Sequence, residues 1–164
     1  MRRKGSWYDD AQVCLNGHRM TDSLSIGPER TSACCEGCGA ATLENRVNCN
    51  KQIRGHYDVP GAVSFVPYSP PSFCFKCGSS FPWTLSAFEA VKALAEESDE
   101  LSDAERASPN ESLPDLVSDT PQTQVAIMRI NRWLSRTGGK TSIAVKEILM
   151  RVATEAVKQQ MGWN

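Results

Sequence analysis

Seven cysteines, all between positions 14 and 77 of a 164-residue chain, constrain this sequence more than anything else in it. Four of them fall in two copies of one pattern, Cys35-Glu-Gly-Cys38-Gly39 and Cys74-Phe-Lys-Cys77-Gly78. A two-residue spacer lets both thiolates of a pair face one ion. The glycine that follows supplies the positive φ that turns the backbone without a Cβ clash. Cys14-Leu-Asn-Gly-His18 reads as a third pair, with Asn16-Gly17 making the turn and an imidazole replacing the second thiolate. Cys49 stands alone. The start of the chain, Met1-Arg-Arg-Lys4, is charged and runs into Gly5-Ser-Trp-Tyr-Asp-Asp10 with no apolar core of a secretory signal, and no apolar run is long enough to span a membrane. A cytoplasmic location is therefore expected. Thiols stay reduced there, so cysteines at these spacings read as metal ligands before disulfides. The expected cofactor is Zn2+, and the candidate ligands are Cys14, His18, Cys35, Cys38, Cys49, Cys74 and Cys77.

The composition divides near residue 84. Residues 1–84 hold nine of the twelve aromatics, eight of eleven glycines and six of nine prolines, the material of short strands and tight turns. Beyond them the chain is rich in Ala, Glu and Leu with helical periodicity. The expected fold class is therefore α+β: zinc-ribbon-like β-hairpins, then a small helical region. The boundaries read as a ribbon domain at 7–84, a helix and acidic linker at 85–118, and a helical hairpin at 119–164. The charge is partitioned as well. Residues 1–84 carry nine Lys/Arg against seven Asp/Glu, residues 85–120 two against ten, and residues 121–164 seven against two. The net charge of −1 is thus a cancellation of +2, −8 and +5. Only eleven Val, Leu, Ile and Met lie in residues 7–84, too few for an independent core, so metal is expected to hold that half together.

At the cysteine motifs the sequence resembles a bacterial family of uncharacterised zinc-ribbon proteins. The resemblance rests on Cys14-Leu-Asn-Gly-His18, Cys35-x2-Cys38-Gly39, Cys49 followed by Ile53-Arg54-Gly55, and Cys74-x2-Cys77-Gly78 followed by Phe81-Pro82-Trp83-Thr84. It continues more weakly through Leu116-Val-Ser-Asp-Thr-Pro121 into the final helices. It implies a double zinc ribbon with a helical tail and no assigned activity. The family pattern has Cys-Pro-x-Cys where this chain reads Arg46-Val47-Asn48-Cys49. Arg46 therefore stands at a ligand position, and guanidinium cannot deprotonate to bind zinc. One complete site and one degenerate site follow.

Two pairings of the ligands are open. Sequential pairing completes a site from Cys14, His18, Cys35 and Cys38 and leaves Cys49, Cys74 and Cys77 as a three-ligand remainder. Crossed pairing makes a four-thiolate site of Cys35, Cys38, Cys74 and Cys77 and leaves Cys14, His18 and Cys49. The intervals of 16 and 24 residues between sequential pairs suit ribbon hairpins, which favours the first. Cys34 or His56 are the spare donors, although Cys34 beside Cys35 points elsewhere on an extended segment. No H-E-x-x-H or deaminase zinc pattern is present and only two histidines exist, so no catalytic residue is assigned and no enzyme is expected.

In the second half, Ser86-Ala-Phe-Glu89 predicts a capped helix over 85–97, and Ser102-Asp-Ala-Glu105 a capping box among short turns broken by Pro109 and Pro114. Asp119-Thr120-Pro121 predicts the start of a helix to Arg136 buried through Ala126, Ile127, Ile130, Trp133 and Leu134. Gly138-Gly139 is expected to end it. Thr141 or Ser142 then caps a last helix to Met161, buried through Val145, Ile148, Leu149, Val152 and Ala156. Gly138-Gly139-Lys140-Thr141 lacks the first glycine and the preceding strand of a phosphate loop, so no nucleotide is expected there. Arg129, Arg132 and Arg136 read as a solvated face with the acidic segment as internal partner. The functional expectation is a non-catalytic zinc-binding adaptor that meets a protein partner or a second copy through residues 121–161, whose apolar stripes are expected to be too large for a hairpin alone to bury. The alternative is nucleic-acid binding through Lys51, Arg54 and Lys76 with Tyr57, Phe75 or Trp83 for stacking. No membrane contact is expected.

Overall fold

Strand β1, Trp7–Cys14, is the strand on which the sheet is built. Its Trp7–Ala11 half pairs antiparallel with β4, Ile53–Asp58, while Gln12–Cys14 pairs antiparallel with β2, Arg19–Thr21, and β3, Thr42–Leu43. The structure, a computed structural model, describes residues 5–63 and 66–163. The start Met1–Lys4, read above as unlike a signal, lies outside the described residues. The register Tyr8↔Tyr57 and Asp10↔Arg54 leaves a bulge on β4, where Gly55 and His56 oppose Asp9. The Asp9 carboxylate turns inward and accepts from the Ser25 N–H at 3.2 Å and the Ser25 hydroxyl at 2.5 Å. Gly55 is needed on β4, because a Cβ there would collide with the Asp22 carbonyl and the Asp10 backbone.

The buried apolar set of this half is small: Ala11, Val13, Ile53, Phe81 and Trp83, together with Cys14, Cys35 and Cys74. Phe81 and Trp83 stack with ring centroids 4.5 Å apart and planes 5° from parallel. Trp83 Nε1 donates to the Pro71 carbonyl at 3.0 Å. Trp83 is therefore a core residue and is not available for stacking on bases, contrary to the expectation for it. The thin core comes from the sequence itself, which spends this half on turns.

The chain is α+β, with the sheet first and helices after it, and it divides into two compact units between Trp83 and Thr84. The helices are α1 Pro82–Glu96, α2 Asp103–Ala107, α3 Leu113–Leu116, α4 Thr123–Leu134, α5 Gly139–Leu149 and α6 Glu155–Gln160. No helix among the described residues is long and apolar enough to cross a membrane. Helix α1 begins at Pro82, with proline in its first turn, so Ser86 lies inside it and caps nothing. The second capping box does form: the Glu105 carboxylate accepts from the Ser102 N–H at 3.1 Å and hydroxyl at 2.8 Å. Helix α4 starts later than Pro121 because Thr123 Oγ1 accepts from the Thr120 N–H and donates to the Ser118 carbonyl, both at 2.9 Å, holding residues 118–122 in a turn.

The expected final helix is two helices. At residues 151 and 152 the bonds tighten to i→i−3, Arg151 N–H on Ile148 O at 3.2 Å and Val152 N–H on Leu149 O at 3.1 Å, and the Thr154 N–H donates to the Leu116 carbonyl at 3.3 Å. Thr154 then caps α6, accepting from the Val157 N–H at 3.3 Å. The break shifts the inward positions, so Val157 is buried and Ala156 is exposed. Gly138 and Gly139 open α5 rather than close α4, and neither Thr141 nor Ser142 is its cap. At the far end Gly162, with φ 65°, reverses the backbone while Trp163 N–H bonds Lys158 O at 2.9 Å and Gly162 N–H bonds Gln159 O at 3.2 Å. Trp163 is thereby folded back and buried. The inward residues of α4, α5 and α6, among them Ile127, Ile130, Trp133, Leu149 and Val157, are buried, and α4 packs against α3 and α6. The premise that they await an outside partner is corrected accordingly.

Candidate metal centres

One hydrogen-bond pattern recurs three times in the first unit. Cys35 N–H bonds Ala40 O at 2.8 Å and Gly39 N–H bonds Cys35 O at 2.7 Å. Cys74 N–H bonds Ser79 O at 2.9 Å and Gly78 N–H bonds Cys74 O at 2.8 Å. Arg46 N–H bonds Lys51 O and Asn50 N–H bonds Arg46 O, each at 2.8 Å. Each loop is closed by a bridge one residue outside it: Cys34↔Ala41, Asn45↔Gln52 and Phe73↔Ser80. The residue after the second ligand position has positive φ in all three, 70° at Gly39, 50° at Asn50 and 68° at Gly78. Arg46-Val47-Asn48-Cys49-Asn50 is thus a complete knuckle with arginine in its first ligand position and asparagine in the glycine's place. Asparagine tolerates this backbone better than most side chains do, a signal the sequence reading did not use.

The knuckles close on two centres. Cys14, His18, Cys35 and Cys38 bring their ligand atoms within 4.8 Å of one another, and so do Cys49, Cys74 and Cys77. This is the sequential pairing; the crossed one is excluded. The separations fit an ion. Zinc with sulfur at about 2.3 Å and nitrogen at about 2.05 Å gives tetrahedral edges of about 3.8 Å for S···S and about 3.6 Å for N···S. Cys14 Sγ lies 3.8 Å from Cys38 Sγ, Cys49 Sγ lies 3.7 Å from Cys74 Sγ, and His18 Nδ1 lies 3.5 Å from Cys35 Sγ. A disulfide would need about 2.0 Å, and all seven cysteines are free thiols. Both clusters can hold a metal ion. Neither spare donor enters a cluster: Cys34 is exposed, and His56 lies on β4, where its backbone N–H donates to Asp22 O at 2.7 Å.

Electrostatics prepare one thiolate in each centre. The Ala40 backbone N–H and the Asn16 amide, 3.4 Å from Cys38 Sγ, hold the Cys38 thiol down at about 6. The Ser79 backbone N–H and hydroxyl hold Cys77 at about 6 in the same way. Burial pushes the Cys14 thiol up, partly offset by the His18 N–H that donates to its sulfur at 3.3 Å. Asn16 and Ser79 are supporting residues that spacing alone did not identify. Behind the first centre, Gly17 at φ 84° lies under Trp83, where a Cβ would come within 3.1 Å of the indole's own Cβ.

The remaining motif carries no site. The Gly138 N–H at the start of α5 is held by the Glu100 carboxylate, so the Gly-Gly-Lys-Thr segment already has its anion. No curated protein and no solved structure matches the chain. The family described as "Uncharacterized protein conserved in bacteria" (DUF2321) matches residues 7–161, and the chain belongs to it.

Proposed function

We propose that the protein is a non-catalytic zinc-ribbon adaptor of the cytoplasm, with Zn2+ at Cys14, His18, Cys35 and Cys38 fixing a rigid surface for a protein partner. One observation carries the reading: four protein donors gather within 4.8 Å of one another, and the two pairs Cys14–Cys38 and His18–Cys35 stand at 3.8 and 3.5 Å, the edges of a tetrahedral zinc site. A closed set leaves no position for an activated water, which is the mark of a structural ion. The bound ion would supply folding free energy, and the chain's own residues do the rest. Asn16 and the knuckle N–H groups stabilise the thiolates, while Trp83 packs on the first loop. On the helical unit the inward stripes are used internally, so a partner at residues 121–161 would meet the exposed Val125, Met128 and Ile143. Of these, Met128 and Ile143 are 66% and 60% exposed.

A second reading, binding of single-stranded nucleic acid, is favoured by a row of exposed rings. Tyr8 and Tyr57 lie 4.7 Å apart, and Arg54 lies 4.6 Å from the Tyr8 ring centre and 3.7 Å from that of Phe75. We rank it below the adaptor on charge. An ion on three thiolates and an imidazole carries −1, an ion on three thiolates carries −1, and together they cancel the +2 of residues 1–84.

The test has three arms. Elemental analysis of gently purified protein is expected to find zinc, and finding none removes the metal reading. Nucleic acids are expected to bind weakly at physiological salt. Submicromolar binding that falls steeply with salt would reverse the ranking, because phosphate contacts release counterions. Changing Val125 and Met128 to Asp is expected to leave zinc content and helicity intact while lowering oligomer mass or partner binding.

A further inference from the structure

The second centre has three donors where the first has four, and the knuckle position that would supply the fourth is filled by arginine. In the knuckles of Cys35 and Cys74 the first residue sends its sulfur to a centre, and the residue three further on does the same. The middle knuckle has the same hydrogen bonds, yet only Cys49, its second position, reaches the centre. Arg46 occupies the first position. It has no lone pair to give. Its guanidinium lies over the Phe81 ring, 5.2 Å from the centroid. Arg46 is only 9% exposed, its Nε has no hydrogen-bond partner, and no ion pair to it is found among the described residues. A buried guanidinium without an anion is costly. Cys77 meanwhile is exposed and Cys49 half-buried, so the cluster opens to solvent on one side.

We infer that Cys49, Cys74 and Cys77 hold a zinc-class ion whose fourth position takes a low-molecular-weight thiol from solution, with Arg46 as its charge partner. The inference rests on the metal reading above and goes beyond it, because this ion is open where the first is closed. Charge and softness select the ligand. Three thiolates and a divalent ion carry −1. A fourth thiolate makes −2, and the Arg46 guanidinium returns the surroundings to −1, the value of the first centre. Sulfur matches the other donors better than a carboxylate does. Binding forms one metal–sulfur bond, displaces any bound water, and releases the thiol proton to solvent, because a coordinated thiol ionises. No electron is transferred.

The experiment replaces zinc with cobalt(II) in the full chain and follows the sulfur-to-metal absorption as N-acetylcysteine is added. The wild type is expected to hold two ions. The second centre's share of the band should rise by about one third as its thiolates go from three to four, with cobalt content unchanged. Arg46→Cys is expected to show the four-thiolate band from the start and no response to added thiol. Arg46→Met, which keeps the corner open but removes the charge, should weaken thiol binding about tenfold. One ion per chain, or two ions with no response, overturns the inference and leaves the zinc adaptor standing. No ion at all overturns both. An unchanged affinity in Arg46→Met removes Arg46 as the charge partner.

Discussion

At Asn50 the backbone sits at φ 50°, a conformation that costs a residue with an ordinary side chain about 1–2 kcal/mol. Asn50→Ala should therefore weaken the second centre by about 1 kcal/mol, and Asn50→Gly should not. A chelator titration monitored by metal release will separate the two variants. Cys38 and Cys77 make a prediction about acid. Both thiols are held at about 6, below the ordinary 9.0, by N–H donors of their own knuckles. A depressed value favours the thiolate above it and loses its effect below it. Metal uptake by the metal-free protein should thus weaken as pH falls through about 6, as read with a chromophoric chelator, and recover when pH is restored. Cys34→Ser, outside both clusters, should change neither metal content nor this profile.

At the scale of elements, legibility followed how local the cause was. A knuckle is written in five consecutive residues, so Cys35–Gly39 and Cys74–Gly78 could be read directly, whereas Arg46 as an intruder came only from the family resemblance. The Ser102–Glu105 capping box was equally plain. The break between α5 and α6 was not. Val145, Leu149 and Val152 continue a helical spacing across it, and what interrupts the helix is the distant Leu116 carbonyl taking the Thr154 N–H. Thr154→Ala should remove the cap of α6 and cost about 1 kcal/mol in thermal or denaturant unfolding. Glu105 belongs to this scale too. The Ser102 N–H and hydroxyl, and then Arg136 at 2.6 Å, lower its carboxyl below the usual range. Its contribution is present above the unfolded-state value and lost as pH falls through the folded one. The melting difference between wild type and Glu105→Gln should accordingly shrink in acid.

With metal bound as proposed, the two units would draw their stability from different chemistries. The first unit has few buried apolar side chains, and a structural zinc is worth about 10–16 kcal/mol in finger peptides, against about 5–15 kcal/mol for an ordinary domain. Chelation should unfold residues 7–83, while the helical circular dichroism of residues 84–163, whose core is oil rather than metal, persists. The block charges were legible as a whole-molecule feature, and Glu105–Arg136 is one pair that joins them. The burial of the helical stripes within their own unit was not, since it depends on Leu113 and Leu116 arriving from a segment that reads as a linker. The sequential pairing has a consequence for synthesis. The ligands of the first centre end at Cys38 and those of the second begin at Cys49, so the two loops do not interleave. A ribosome making about 5–20 residues per second needs about 2–8 s to pass from Cys38 to Cys77. During that interval the first centre has its full set of donors and the second has at most two, so the nascent chain could load metal in order, without the exchange of partners that an interleaved pair would invite.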